Sequence, residues 1–292
     1  MTSISRREFT ARSAGVLASA LLPASLTAGA RAAPRLIVRG DDMGYAHAGN
    51  EALIACHTGG IETTIELLAP SPWFPEAVRM LADHPDIDVG VHLAITSEWD
   101  NVKWRPLTAA PSLRDADGYF FPMLMPNPNY PRRSVSENAW TMEDLEREFR
   151  AQIERARTHV PRISHVSGHM GCVDILPGAK AMTRRLAKEY GVDIWLEDHG
   201  VVNVGYQGPH VTSAEKIEGF LAMLDTLESG KTYLFVDHPG LDSPELRAIH
   251  HIGYEQVAVD RQGVTDTFTS PRVRERIRER GIELISYRDV RR

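Results

Sequence analysis

The sequence predicts an α/β fold, a (β/α) barrel of about seven strands that is closed or nearly closed. Three observations lead there. Short apolar runs and helix-like stretches alternate from residue 34 to residue 292, the pattern of parallel strands joined by crossover helices. The length of 292 residues suits one barrel. Asp and His residues recur where apolar runs stop, and the C-terminal ends of barrel strands are where such folds carry their sites. An open doubly wound sheet is the alternative. No G-x-G-x-x-G or Walker pattern occurs, so nothing points to a nucleotide site.

Taken in order, Leu36-Ile37-Val38 reads as the first strand, and Asn50 to His57 as a helix stopped by Gly59-Gly60. Ile61 to Leu68 is β-branched and apolar, a second strand, and Pro75 to Ala82 is helical. Ile87, Val89, Val91, Leu93 and Ile95 alternate with strand period. Thr141 opens a helix with Asp144 three residues on, and the helix runs to about Thr158. Ile163 to Val166 is a short strand, Pro177 to Tyr190 a helix closed by Gly191, and Val192 to Leu196 a strand. Ser213 to Leu227 is a helix, Tyr233 to Val236 a strand, Pro271 to Arg280 a helix, and Ile282 to Tyr287 the last strand.

One segment, from Glu98 to Trp140, breaks the alternation and is rich in Pro and aromatic residues. A loop so long in a compact domain is functional or disordered, and its aromatic content argues against disorder. A substrate-covering loop whose rings stack on sugars is one reading; a self-packed loop is the other.

The N-terminus carries Ser5-Arg6-Arg7-Glu8-Phe9, a weakly apolar stretch from Ala14 to Ala28, and Ala30-Arg31-Ala32 ahead of Ala33-Pro34. Residues 1–33 therefore read as a twin-arginine signal peptide with an A-x-A cleavage site, and 34–292 as the barrel. The expected location is the periplasm or outside the cell. The apolar stretch is short for a membrane span, so no membrane association is expected after cleavage. A net charge of -6 gives no case for nucleic acid. The basic residues at 272–280 interleave with Glu275 and Glu279 as a solvated helix face. Cys56 and Cys172 make no disulfide framework. The oligomeric state is open, a homodimer included.

Four strand ends carry polar chemistry: Asp41-Asp42, His92, His165 with His169, and Asp237-His238. Each is modest alone. In a closing barrel they converge on one mouth, and one carboxylate with two imidazoles makes a facial metal triad with open positions.

At these residues the chain resembles the YdjC-like carbohydrate deacetylase family. The matching stretches are Leu36 to Gly44 with Asn50 following, Gly90-Val91-His92-Leu93-Ala94-Ile95, and Pro106-Leu107-Thr108 with Asp117-Gly118. Further on they are Ser164-His165-Val166-Ser167-Gly168-His169, His238-Pro239, and Arg280-Gly281 with Ser286-Tyr287. The resemblance covers about residues 35–292. It implies that Asp42, His92 and His169 bind a divalent metal (magnesium or zinc foremost), that Asp41 is the catalytic base, and that the substrate is a carbohydrate. Ser167-Gly168 departs from the family's Asp-Ser just before the metal histidine and bears on substrate identity more than on the metal.

The expected reaction removes N-acetyl groups from an amino sugar or oligosaccharide. A metal polarises the carbonyl and lowers the pKa of bound water from about 15.7 toward about 7. Asp41 takes the water proton, and His238, oriented by Asp237, is the candidate acid for the leaving amine. Two alternatives stand beside it. One is another metal-dependent hydrolase, a sugar esterase or phosphodiesterase, although no Arg/Lys clamp is evident. The other is a non-catalytic exported carbohydrate-binding protein, which the Ser167-Gly168 change would permit and the Asp41-Asp42 pair argues against.

Overall fold

The computed structural model describes residues 32–291, so the twin-arginine segment lies outside the described residues. β1 (Arg35–Met43) runs through the centre of a wholly parallel sheet. β2 (Thr64–Leu67), β3 (Asp88–Leu93) and β4 (His165–Gly168) follow on one side. On the other side lie β6 (Thr232–Asp237) and then β5 (Val202–Val204). β7 (Glu283–Leu284) pairs with Arg35 and Leu36 at the start of β1. The sheet of seven strands curls into a half-barrel, open between β4 and β5.

The strand period sorts the side chains. Leu36, Val38, Ile65, Leu67, Val89, Val91 and Phe235 are buried outward, under the helices. α1 (His47–Gly59), α2 (Phe74–Asp83) and α3 (Met142–His159) cover the β1–β4 face. α6 (Ser213–Thr226), α8 (Val257–Thr269) and α9 (Pro271–Glu279) cover β1 and β6 through Phe220, Val264, Phe268 and Ile277. α4 (Cys172–Ile175), α5 (Ala179–Tyr190) and α7 (Pro244–Arg247) complete the layer. The inward positions are largely polar, as described below.

Most expected elements appear with ends shifted by a few residues. Thr141 caps α3 by accepting from the Asp144 N–H at 3.3 Å. Two strands differ. Residues 192–196 have the apolar pattern of a strand but form no ladder; the chain passes into a 3-10 turn, Leu196–His199, and the real strand is Val202–Val204. Val192 and Ile194 are buried by packing at the open side of the sheet, so their alternation reports burial without pairing. The final strand shrinks to two residues. β2 occupies the same edge of β1 further along, and after Ile285 bonds to the Leu36 carbonyl the chain turns and places Tyr287 inside the barrel. α8 was not anticipated, although Val257, Arg261, Val264 and Phe268 are spaced along one helical face.

The segment from Glu98 to Trp140 is ordered and packed. Trp99, Trp104, Phe120 and Tyr130 are all buried, so its rings serve mainly as core, and of them only Trp99 reaches the site cavity. α3 anchors this segment. Buried Glu148 accepts from the Leu107 and Thr108 N–H groups at 3.0 Å each and from the Thr108 hydroxyl at 2.7 Å. Gln152 ties the Ala94 backbone at both its amide and its carbonyl. Glu148→Gln would set an amide NH2 against these donors. An unfolding free-energy loss of roughly 1–3 kcal/mol is expected, read by denaturant titration, together with faster protease cleavage within residues 98–140.

Candidate active site

The site begins with an irregularity in β1. Gly40 pairs with Ile65 and Met43 with Leu67, so β1 spends one more residue than β2 over the same span. Gly40 and Met43 both face outward, toward Leu53 and the helical layer. Asp41 and Asp42 between them therefore both turn inward, where a regular strand would alternate them. Asp42 carries the deviation, with φ at 74°, a left-handed conformation that Asp tolerates better than most residues. The turn beyond is pinned by Asn50, whose Oδ1 accepts from the Gly44 N–H at 2.7 Å. Gly44 has φ at 110°, and a Cβ there would meet Ser71 Oγ at 2.3 Å.

Four elements bring the expected residues together. Asp42 Oδ1 lies 3.5 Å from His92 Nε2, late in β3, and 3.1 Å from His169 Nδ1, just beyond β4. One ligand atom from each of the three lies within 4.8 Å of the others, and all three residues are buried. Asp41 Oδ2 stands 3.7 Å from the same His92 nitrogen. His238, immediately after β6, places Nε2 3.8 Å from Asp42 Oδ2 and Nδ1 3.6 Å from Asp237 Oδ1. Asp41, Asp42, His92, His169 and His238 line a cavity of about 410 Å³ with Glu98, Trp99, Met170, His251, Tyr254 and Arg261 among its walls.

Two buried guanidiniums balance the neighbouring carboxylates. Arg39 grips Asp41 through both oxygens, at 2.7 and 2.8 Å, and donates to the Tyr287 hydroxyl at 2.7 Å. Arg261 donates to Asp42 Oδ2 at 3.0 Å while its guanidinium lies over the Tyr45 and Trp99 rings. Burial works against an ionised Asp42, but His169, His238 and Arg261 outweigh it and hold its pKa well below the usual carboxylate range. Burial depresses His92 despite Asp41 and Asp42. Burial opposes protonation of His169 as well; there Glu98 and Asp42 prevail and raise it to about 10. His238 is raised too, because the Asp42 charge and its Asp237 partner outweigh its burial.

The sequence reading missed three side chains at the site. Glu98 takes the other nitrogen of His169, Nε2 to Oε2, at 3.0 Å. Arg261 comes from the unforeseen α8. Glu66, fully buried in β2, receives His165 Nε2 at 2.5 Å and Ser167 Oγ at 2.5 Å. An acidic residue inside an otherwise apolar run, as Glu66 is in Thr64-Ile65-Glu66-Leu67-Leu68, was the available signal. Burial opposes the Glu66 charge, but His165 and Arg39 lower its pKa to about 2. Cys172 is not part of the site chemistry: its buried thiol donates to the Leu93 carbonyl at 3.1 Å, and burial raises its pKa.

The chemistry of this donor set suits a divalent cation. Asp42 Oδ1 is buried with no hydrogen-bond donor, and the two imidazole nitrogens face it. Carboxylate and imidazole are ligands for such an ion, and three ligands leave positions open for reactants.

The profile of the YdjC-like protein family matches residues 35–279. The chain belongs to this family. Among curated YdjC-like relatives, a "Carbohydrate deacetylase 2" from Listeria innocua serovar 6a is 28% identical over 264 residues, covering 88% of this chain and 98% of its own. A "Carbohydrate deacetylase" from Thermus thermophilus is 33% identical, covering 73% and 80%. A "Chitooligosaccharide deacetylase" from Yersinia pestis is 26% identical, covering 87% and 98%. A crystal structure from Enterococcus faecalis, of a protein named for cellobiose-phosphate cleavage, superposes with a TM-score of 0.70 at 23% identity, over 89% of this chain and 99% of that one. That likeness supports the fold.

Arg261→Ala would leave Asp42 with less compensation in a buried setting. Breaking a buried ion pair costs roughly 3–5 kcal/mol, and a loss of this order is expected in denaturant unfolding of chelator-treated protein.

Proposed function

We propose that the protein is a metal-dependent carbohydrate deacetylase, hydrolysing the acetamide of an N-acetylated amino sugar or oligosaccharide. The observation that carries the reading is the buried Asp42–His92–His169 group at the floor of a cavity, with Asp41 beside it and His238 across from it. The family relatives named as carbohydrate deacetylases agree with it.

Asp42, His92 and His169 would hold a divalent cation of the magnesium or zinc class. When bound it would supply Lewis acidity, polarising the acetamide carbonyl and acidifying a water molecule. Asp41 accepts the proton of the attacking water. Arg39 occupies one lone pair on each Asp41 oxygen, which fixes the carboxylate plane and leaves the remaining lone pairs for that proton. Water oxygen bonds to the acetyl carbon, the C–N bond breaks, and acetate leaves. His238 gives its proton to the departing amine, a role that its Asp237 neighbour favours. His251 and Tyr254 share the cavity wall with the buried Trp99, on which His251 stacks at 5.6 Å between centroids. The guanidiniums nearest the reacting groups, Arg39 and Arg261, each pair with a carboxylate.

The direct test is acetate release from a panel of N-acetylated oligosaccharides by metal-loaded protein, with chelator abolishing it. Asp41→Asn should retain metal and lose turnover by about 10²–10⁴-fold, while His169→Ala should lose metal, read by elemental analysis. Undiminished turnover in Asp41→Asn would remove Asp41 as base.

We also assign residues 1–33 to a twin-arginine signal peptide, which would place the enzyme in the periplasm or outside the cell. The Arg6-Arg7 pair and Ala30-Arg31-Ala32 support it, and the described residues contain no helix long and apolar enough to cross a membrane. Replacing Arg6 and Arg7 together by Lys should leave uncleaved protein in the cytoplasm, read by cell fractionation; unchanged export would refute the assignment.

A further inference from the structure

The imidazole of His92 reaches the centre of the site through Nε2, so its other nitrogen decides how firmly that lone pair is aimed. Nδ1 lies 2.7 Å from Ser167 Oγ, and Ser167 Oγ lies 2.5 Å from Glu66 Oε2. Glu66 is fully buried, and its remaining oxygen takes His165 Nε2 at 2.5 Å. His165 is held in turn. Its ring lies parallel to Tyr287 at 3.5 Å, and its Nδ1 meets Ser164 Oγ at 2.7 Å. The pair has space because residue 90 is glycine: a Cβ there would stand 2.4 Å from Glu66 Oε2 and 2.5 Å from His165 Nε2.

Proton counting gives this chain a direction. A carboxylate only accepts, so the single hydroxyl proton of Ser167 goes to Glu66. Ser167 Oγ must then accept from His92, which places the imidazole proton on Nδ1 and leaves the Nε2 lone pair facing Asp42. His169 has the simpler arrangement, with Glu98 directly on its outer nitrogen.

We propose that Glu66 and Ser167 act as one positioning unit, a carboxylate–hydroxyl relay that fixes the tautomer and orientation of His92 as a cation ligand. The serine that departs from the family motif is thus a working link, and the carboxylate stands one residue further from His92, on β2, the strand on the other side of β3. Orienting partners of metal histidines set affinity strongly, by about 10–100-fold on removal. The inference rests on Asp42, His92 and His169 holding the cation proposed above.

The test measures Zn(II) affinity by competition with a chelating indicator, and the visible absorption of the Co(II)-loaded protein, on variants whose folding is checked by circular dichroism. Ser167→Ala and Glu66→Gln should each weaken Zn(II) binding by about tenfold or more and alter the Co(II) spectrum. The double variant Ser167→Ala/Glu66→Gln should be no worse than the weaker single one, because both break one relay. Ser167→Thr, which keeps the hydroxyl, should bind like the parent. Ser167→Asp combined with Glu66→Gln should recover binding, since a carboxylate then meets His92 directly without facing a second charge. Parental affinity and spectrum in Ser167→Ala, or equal impairment in Ser167→Thr, would overturn the relay while leaving the metal reading intact. A parent protein that binds neither ion would overturn both.

Discussion

Between the outward-facing Gly40 and Met43 lie two residues where a regular strand would place one. Everything at the site depends on that extra residue, because it turns two consecutive carboxylates toward the same few ångströms of space. Such a pair repels, and burial makes each charge costly. The surrounding structure answers with Arg39 on Asp41, Arg261 on Asp42, and imidazoles at the free oxygen of Asp42. The left-handed backbone at Asp42 is the conformational cost of the arrangement. Asn50 and Gly44 hold the turn that follows it.

The barrel divides its labour by strand parity. Outward positions are apolar and join sheet to helices. Inward positions along β1 to β4 carry Arg39, Asp41, Glu66, Asp88, His92, His165 and Ser167, and these satisfy one another: Asp88 accepts from the Ser164 hydroxyl at 2.7 Å and pairs with Arg288 at 3.0 Å, at the far end from the cavity. Such a densely paired network is rigid, since each of its members has few alternatives in a low-dielectric setting. That rigidity suits a site whose geometry has to be held before a substrate arrives. The long segment from Glu98 to Trp140 contributes from outside. It is anchored by Glu148, places Glu98 on His169, and brings Trp104 to within 6.4 Å of the same ring, centroid to centroid.

Both imidazoles facing Asp42 are backed by a carboxylate, but by different routes. His169 has Glu98 in direct contact, from a loop; His92 has Glu66 at one remove, from a neighbouring strand. The difference follows from position. His92 lies within β3, paired to Ser167 across the ladder, so what it meets is set by strand register. His169 lies past the end of β4, where a loop can reach it.

The alternation of apolar runs and helices determined the parallel α/β class, and local chemistry marked Asp41, Asp42, His92, His169 and His238 as a group, because strand ends in such a fold share one mouth. Those features are local and periodic, and a sequence displays them directly. Pairing partners are not local. Residues 192–196 alternate like a strand and have no ladder, and residues 283–284 are all that the occupied edge of β1 leaves for the last one. Glu66, Glu98 and Arg261 sit 25 or more residues from the groups they serve, apart from any motif. Their roles come from register, from the β1 bulge and from the packing of α8, and only the tertiary structure could decide them.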